Sequence, residues 1–529
     1  MLNIVFRRFF CSRSLKLATL LGSCLSQYSQ AADFNVTKTY WGTASDTGTF
    51  AWAVNQANST VGLDTIHVQS GLNINVDGAA TVPGGARAWL AKFTESVNIE
   101  GNNATLEGNP TYITSGGLLA TKTSLVSNVY GPPIVHGDIV TTPGVSFAII
   151  GEHNQNNTGI HVSVNALNAD GLGSIAFLNT QSTLTYENSN FNNIVNYTGD
   201  TGRPAFNSDT GSTLNLNSVV LNRNIPFGGY FASADNIAFG GSILGGDAFL
   251  NMSNSTIEHS YGAGAILWVG GVANVVSSIL SDSGGIQVSD SSLMDGTLNF
   301  VNSILYVQDE GETLQQTSRI LADTNSVANI TSSTILYNSL FASGDNSPFG
   351  FEGMPLTAAN AGILNINSSA ILPLNFDYSL PGKDAYLELT GGNLISDSYS
   401  FIGATTAQSS ADLHLLFNNS SFLTSGLTYS FDDFGGTDYL KSLPVGATPW
   451  HNSVLVNVVP NAGSGGANEL LNPINSQPIL YDVFGHARTS GGFRTLGAVQ
   501  STVVPEPSTL TIMTGTLLLG WLRRRKTRS

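Results

Sequence analysis

The chain has 529 residues, 41% of them apolar and only 11% charged, with 20 Lys and Arg set against 36 Asp and Glu for a formal net charge of −16. Cations this sparse argue against nucleic acid and anionic lipid as partners, because both require clustered positive charge. Both cysteines, Cys11 and Cys24, lie close to the N-terminus, so the body is expected to have no disulfide, no thiolate metal site and no cysteine nucleophile.

Arg7, Arg8, Arg13 and Lys16 precede the apolar stretch Leu17–Leu25, and Ser29-Gln30-Ala31 places small residues at −3 and −1 of a cleavage point. This order is that of a secretory signal peptide spanning 1–31, cut after Ala31, which makes the secretion translocon a partner. Two variants stay open: Leu21-Gly-Ser-Cys24 loosely resembles a lipoprotein box, and Arg7-Arg-Phe-Phe10 a twin-arginine signal.

Within Gly48–Asn58, Phe50, Ala53, Val54 and Ala57 recur at i, i+3, i+4, i+7, the spacing of one helix face. Asp46 or Thr47 is the expected N-cap. A short amphipathic helix here covers the apolar end and the open strand edge of whatever follows. Gly62–Val68 and Val97–Leu106 then read as first strands. The order of helix, Asp64-Thr-Ile66 strand and Ile99-Glu-Gly101 strand resembles the N-terminal pattern of exported bacterial β-helix proteins over about 33–106. Ala51-Trp52 stands where those proteins commonly carry Lys/Arg–Gln.

From residue 184 one pattern recurs: alternating apolar and Asn residues, a polar pair, then Ile, Val or Phe. It runs through Leu184–Phe191, Leu214–Val219, Leu250–Ile257, Asn274–Ile279, Leu298–Ile304, Asn329–Ile335, Leu364–Ile371, Gly392–Ile395 and Leu415–Phe422. The closing apolar positions are separated by 22 to 38 residues. Alternation makes each copy a strand with one apolar face, and strands at such a period form a solenoid. A single coil cannot bury its apolar face, so stacked coils share one core with rungs about 4.8 Å apart. The expected fold is all-β, a right-handed parallel β-helix, with Asn and Ser at matching corners stacking as ladders. A β-sandwich would place tight hairpins every 8 to 12 residues or so, and few Asn-Gly or Asp-Gly pairs separate these strands.

Parallel β-helices commonly carry polysaccharide lyases and hydrolases, so catalysis has to be weighed. A glycosidase needs two carboxylates about 5–5.5 or 6.5–9.5 Å apart. Asp432-Asp433 is the sole Asp-Asp pair, and a turn suits it better. His136-Gly-Asp138 follows Pro132-Pro133 and reads as a loop. Asp309-Glu-Gly-Glu312 could hold Ca²⁺, but a solvated corner is the simpler reading. A lyase base would have to come from 11 scattered Lys and Arg in the body. No phosphate loop, His-Glu-x-x-His or nucleophile elbow is present. No catalytic residue, metal ligand or cofactor is therefore assigned. Trp52 and Trp89 read as cap and core, and Tyr439 and Trp450 as buried packing in preference to sugar platforms.

The segments Gly435–Asp438, Ser453–Asn457, Asp482-Val-Phe-Gly-His-Ala-Arg488 and Leu496-Gly-Ala-Val-Gln500 resemble the choice-of-anchor Q region. Gln500 and Asn457 replace the usual Glu and Asp. The resemblance implies a structural closing region, with Asp482 and Arg488 paired across a turn that closes the last coil.

The chain then reads Val504-Pro505-Glu506-Pro507-Ser508, an apolar run to Leu522, and Arg523-Arg524-Arg525-Lys526. Ser508 to Leu522 is 15 residues, about 22 Å as a helix against a hydrocarbon core of ~30 Å. The basic cluster is expected to stay cytoplasmic, and Pro505 and Pro507 stop the helix upstream. These three parts in this order resemble the PEP-CTERM sorting signal. That resemblance implies an exosortase-type partner, a membrane-anchored precursor, cleavage near Pro505–Pro507, and delivery to the cell surface, outer membrane or exterior. Without the two targeting segments the body holds 11 cations and 35 acids, a net charge near −24.

The expected division is signal 1–31, cap and first coils 32–130, repeats 131–425, closing region 426–500 and sorting segment 501–529. The functional expectation is an exported, non-catalytic surface protein that is structural, adhesive or polysaccharide-binding. The alternative is a polysaccharide lyase or hydrolase. An autotransporter passenger is disfavoured, because no run of barrel strands is legible after residue 426.

Overall fold

The structure is a computed structural model that describes residues 31–77, 79, 89–113, 119–121, 139–142, 146–151, 159–179, 181–197, 205–222, 225–227, 235–240, 248–289, 296–307, 320–338, 356–374, 387–390, 393–396, 401–402, 459–460, 470–488, 493–494 and 498. Three stacks of parallel strands run from Asp33 to Ile402, and the long strands Val97–Glu107, His161–Asp170, Thr256–Val269 and Ile279–Ser289 each pass through a corner and serve two of them. In a representative coil, Ala176–Leu178 lies in the third sheet, Thr183–Glu187 in the first and Asn190–Asn192 in the second. The next coil repeats this with Phe206–Ser208, Thr213–Asn217 and Val220–Asn222 in strict parallel register. This is a parallel β-helix, as the Leu-x-Leu spacing predicts.

The alternation seen in the sequence sets which side chains enter the core. In the first sheet Leu184 stacks on Leu214, Leu250, Ala273, Leu298, Ala328 and Leu364, all buried. In the second sheet Phe191, Leu221, Ile257, Leu280, Leu305, Ile335 and Ile371 share one column. The repeat read from the sequence is therefore one or two places off in three coils: Val219 stands at the corner, and Ile279 and Ile304 precede the true interior residues. Ile395 belongs to the first sheet, opposite Asn365, and Phe422 lies outside the described residues.

The corner between first and second sheets explains the slip. Asn188, Ser218, Asn254, Ser277, Asn302, Ser332 and Ser368 each have φ near +50°, the left-handed region that Asn tolerates best among residues with a side chain. Two residues turn the chain, so the alternation is interrupted there. The residue after each is Ser in six of these seven coils, and it is buried. Ser255, Ser278, Ser303 and Ser333 each accept from the preceding coil: Val219 N at 3.0 Å, Ser255 N at 3.2 Å, Ser278 N at 3.1 Å and Ser303 N at 3.2 Å. Each hydroxyl donates to the carbonyl two residues back, as Ser303 does to Val301 O at 2.8 Å. The ladder satisfies a buried N–H that the sheet pattern cannot reach at the corner. Ser303→Ala should therefore strand the Ser278 N–H and cost about 1–3 kcal/mol, read as a lower denaturant midpoint with unchanged slope.

Helix α1 (Phe50–Ala57) buries Phe50, Ala53, Val54 and Ala57, the face that the periodicity predicts. Its N-cap is Thr49, which accepts from Trp52 N, and not Asp46 or Thr47. Asp46 is occupied one step earlier, its carboxylate taking Thr43 N and its carbonyl taking Thr49 N. Trp41 stacks on Phe50 at 4.9 Å, and Phe147 meets Phe50 edge-on at 5.9 Å. Trp89 is buried, and Trp52 is half-buried with its ring edge-on to Phe34.

Outside the stacks, Thr111–Ile113, Leu119–Thr121 and Ile139–Thr142 form a small antiparallel sheet. Val195–Tyr197 pairs with Ile225–Phe227 on the side where the chain leaves the second sheet, which is where the longer repeats spend their extra residues. The domain boundary expected at 130 lies outside the described residues.

Candidate binding face

The outward positions of the first sheet carry the second ladder. Asn215, Asn251, Asn274, Asn299, Asn329 and Asn365 occupy one register position in six successive coils. Each Nδ2 donates to the preceding Oδ1: Asn251 to Asn215 at 2.9 Å, Asn274 to Asn251 at 2.9 Å, Asn299 to Asn274 at 2.8 Å, Asn329 to Asn299 at 2.9 Å and Asn365 to Asn329 at 2.8 Å. Asn215 ends the row on Thr185 Oγ1 at 3.1 Å. An amide offers two N–H donors and two acceptor lone pairs. A ladder of this kind uses one of each, so every inner Asn keeps one N–H and one acceptor direction. The row beside it, led by the exposed Phe249, contains Thr213, Val272, Thr297, Val327 and Ile363. Over these six coils the face is neutral and regularly spaced along the solenoid axis. From the sequence, Asn and Ser are expected to stack at matching corners; the Ser row is there, and Asn302 bonds Ser277 at that corner, whereas the long Asn row is mid-strand.

Near the N-terminal end the same outward face holds an ionisable group. His67 Nδ1 lies 2.7 Å from Glu100 Oε2, and Nε2 lies 3.4 Å from Asp33 Oδ1. Partial desolvation pulls the imidazole pKa down, but the bonds and charges of Glu100 and Asp33 outweigh it and raise it above 6.5. A pKa raised by folding gives stability that is full below the unfolded value and lost as pH rises through the folded one. Wild type should therefore exceed His67→Gln in melting temperature at pH 6 and lose that margin as pH rises through the folded-state pKa. The pair is partly exposed, so the margin is small.

A third feature was not legible in the sequence. Outward positions flanking the corner include a polar residue in each early coil: Glu187 and Asn190, then Asn217 and Val220, then Ser253 and Thr256. In two later coils they are Val276 and Ile279, and Val301 and Ile304, all buried although they face away from the core. Residues 470–488, together with Ala498, reach back to this flank as a strap. Arg488, itself buried, donates from Nε to Asn302 Oδ1 at 3.1 Å and again from its guanidinium. Asn302 Nδ2 donates to Tyr481 O at 3.0 Å and to Ser277 Oγ at 2.8 Å. Ala498 N donates to Thr334 Oγ1 at 2.9 Å. The clue in the sequence was Val-x-Ser-Ile at two successive corners, where every other copy has at least one polar residue.

The expected Asp482–Arg488 pairing is corrected here. Asp482 turns back on its own loop, accepting from Phe484 N at 2.9 Å, His486 N at 2.7 Å and His486 Nδ1 at 3.0 Å. Arg488 leaves that loop toward the solenoid. Among the described residues, the strap bonds to the solenoid at Asn302 and Thr334.

Ala31 is the first described residue and is exposed. Pro505, Glu506, Pro507, Arg523, Arg524 and Arg525 lie outside the described residues, as do Asp432-Asp433, His136–Asp138, Asp309–Glu312, Tyr439 and Trp450. Among the described residues no group of three or more His, Cys, Asp or Glu is placed to hold a metal ion, and no helix is long and apolar enough to cross a membrane.

No protein-family model matches the chain, and no curated protein matches it. Among solved structures, the crystal structure of pectate lyase Pel9A is similar at 13% identity and a TM-score of 0.32, covering 90% of this chain and 98% of that one. The β-helix assignment rests on strand register and not on that likeness.

Proposed function

We propose that this is an exported, surface-sorted, right-handed parallel β-helix protein, non-catalytic, that contacts neutral polysaccharide along its outward Asn ladder. The ladder is the observation that carries the reading. Six amides at one spacing, five of them half-buried and Asn274 buried, form a repeating donor and acceptor row, which suits a polymer of hydroxyl groups better than a compact ligand. The strongly acidic body disfavours anionic polysaccharides. In this reading α1 covers the N-terminal end of the core, and segment 501–529 is a detachable sorting signal handled by an exosortase-type enzyme.

The test is incubation of the full chain with neutral and with anionic polysaccharides, measuring both retention and release of reducing ends or unsaturated products. Retention by neutral polymers, weakened by Asn299→Leu together with Asn329→Leu at unchanged fold, supports the proposal. Turnover abolished by a single carboxylate substitution replaces it with a lyase or hydrolase. Sorting is tested separately. Replacing Pro505, Glu506 and Pro507 by Ala should leave an uncleaved precursor in the membrane; normal release refutes exosortase handling.

A further inference from the structure

The strap carries the densest set of exposed large apolar side chains among the described residues. Leu471, Ile474, Leu480 and Tyr481 are 47%, 36%, 52% and 58% exposed, all within 11 residues. The segment is ordered by its own bonds: Asn472 N to Gln477 O at 2.9 Å, Ser476 N to Asn472 O at 2.7 Å and Ile479 N to Leu470 O at 2.8 Å. Leu471 faces the equally exposed Pro478 across this hairpin. Arg488 and Asn302 pin the hairpin to the solenoid, so the apolar side chains are held at a fixed place on the body. Clustered exposed apolar groups mark an interaction surface.

The chain itself points to the occupant. Ala498, bonded to Thr334 and to Val483, is ten residues before Ser508, where the apolar run begins. Ten residues reach at most about 35 Å. A membrane-inserted run therefore keeps the strap within that distance of the bilayer. The run is also short for the hydrocarbon core, so a second apolar contact would add to its hold. Arg488 is buried and the body is acidic, so the attraction has to be apolar and not electrostatic. Leu, Ile and Tyr side chains suit the interfacial zone of a bilayer.

We propose that Leu471, Ile474, Leu480 and Tyr481 dock the flank of the solenoid onto the lipid surface, so that the precursor lies side-on to the membrane. This rests on reading 504–529 as a membrane segment. The near absence of cysteine makes the test direct. In the full chain with Cys11→Ser and Cys24→Ser, single labelling sites Gln477→Cys (strap), Lys38→Cys (first coil) and Thr516→Cys (sorting segment) receive an environment-sensitive fluorophore. Each protein is reconstituted into phosphatidylcholine vesicles with brominated chains. The expected result is loss of emission at 477 and 516 with none at 38, and recovery at 477 when Leu480→Ser and Tyr481→Ser are added. Loss at 516 without loss at 477 overturns the docking while leaving the membrane segment intact. No loss at 516 overturns the membrane reading itself. Shielding at 477 that depends on protein concentration and not on brominated lipid assigns the patch to a second copy and also overturns the proposal.

Discussion

Asn302→Ala should free the strap and cost about 3–5 kcal/mol. The side chain accepts from Arg488 and donates to Tyr481 O and Ser277 Oγ. Bonds to a charged group are worth about 1.5–3 kcal/mol each in such settings. The residue also sits at φ +52°, where replacing Asn by Ala adds roughly 1–2 kcal/mol of backbone strain. Asn302→Gly separates the two, since Gly accepts the backbone but cannot hold Arg488. Both variants should become cleavable by protease between 470 and 498 before the solenoid is cut, and both should bind a hydrophobic dye at the uncovered Val276, Ile279, Val301 and Ile304. A strap that stays protected in Asn302→Ala would show that Arg488 is held chiefly by other bonds.

The second large effect is expected one step inward. Phe300 is fully buried between Val275 and Ile330 in its column. Phe300→Ala should cost about 3–5 kcal/mol through the lost apolar contact and the cavity left behind. In a solenoid each coil is supported only by its neighbours, so the damage is local to that rung. Unfolding should change from one transition to two, with the coils before and after residue 300 melting apart. Phe300→Leu should retain a single transition and lose less than about 1.5 kcal/mol. One unchanged transition in the Ala variant would mean that coupling between coils outweighs a cavity of that size.

The architecture was legible because the rule that makes it is local. Leu214-Asn-Leu216 and Leu298-Asn-Phe300 state in three residues which side enters the core, and recurrence supplies the stacking. Register at the corner was not legible. The left-handed residue and the buried Ser consume two positions without alternating, so Ile279 and Leu280, or Ile304 and Leu305, compete for the interior position on hydrophobicity alone. The Asn row was visible as composition, but its place in mid-strand follows only from pairing. The strap was hidden for a different reason: Arg488 and Asn302 are 186 residues apart, and no periodicity connects them. Even Asp482 and Arg488, close in sequence with opposite charges, invited a pairing that backbone N–H groups of the same loop pre-empt.

The seat of the strap also fixes a line of force. Among the described residues, tension on the chain beyond Ala498 enters the solenoid at Thr334 and Asn302, in the flank of its middle coils. A pull from that side is shared in shear by the bonds at Asn302, Thr334 and the serine ladder beneath them, and does not peel the stack open one rung at a time from its end.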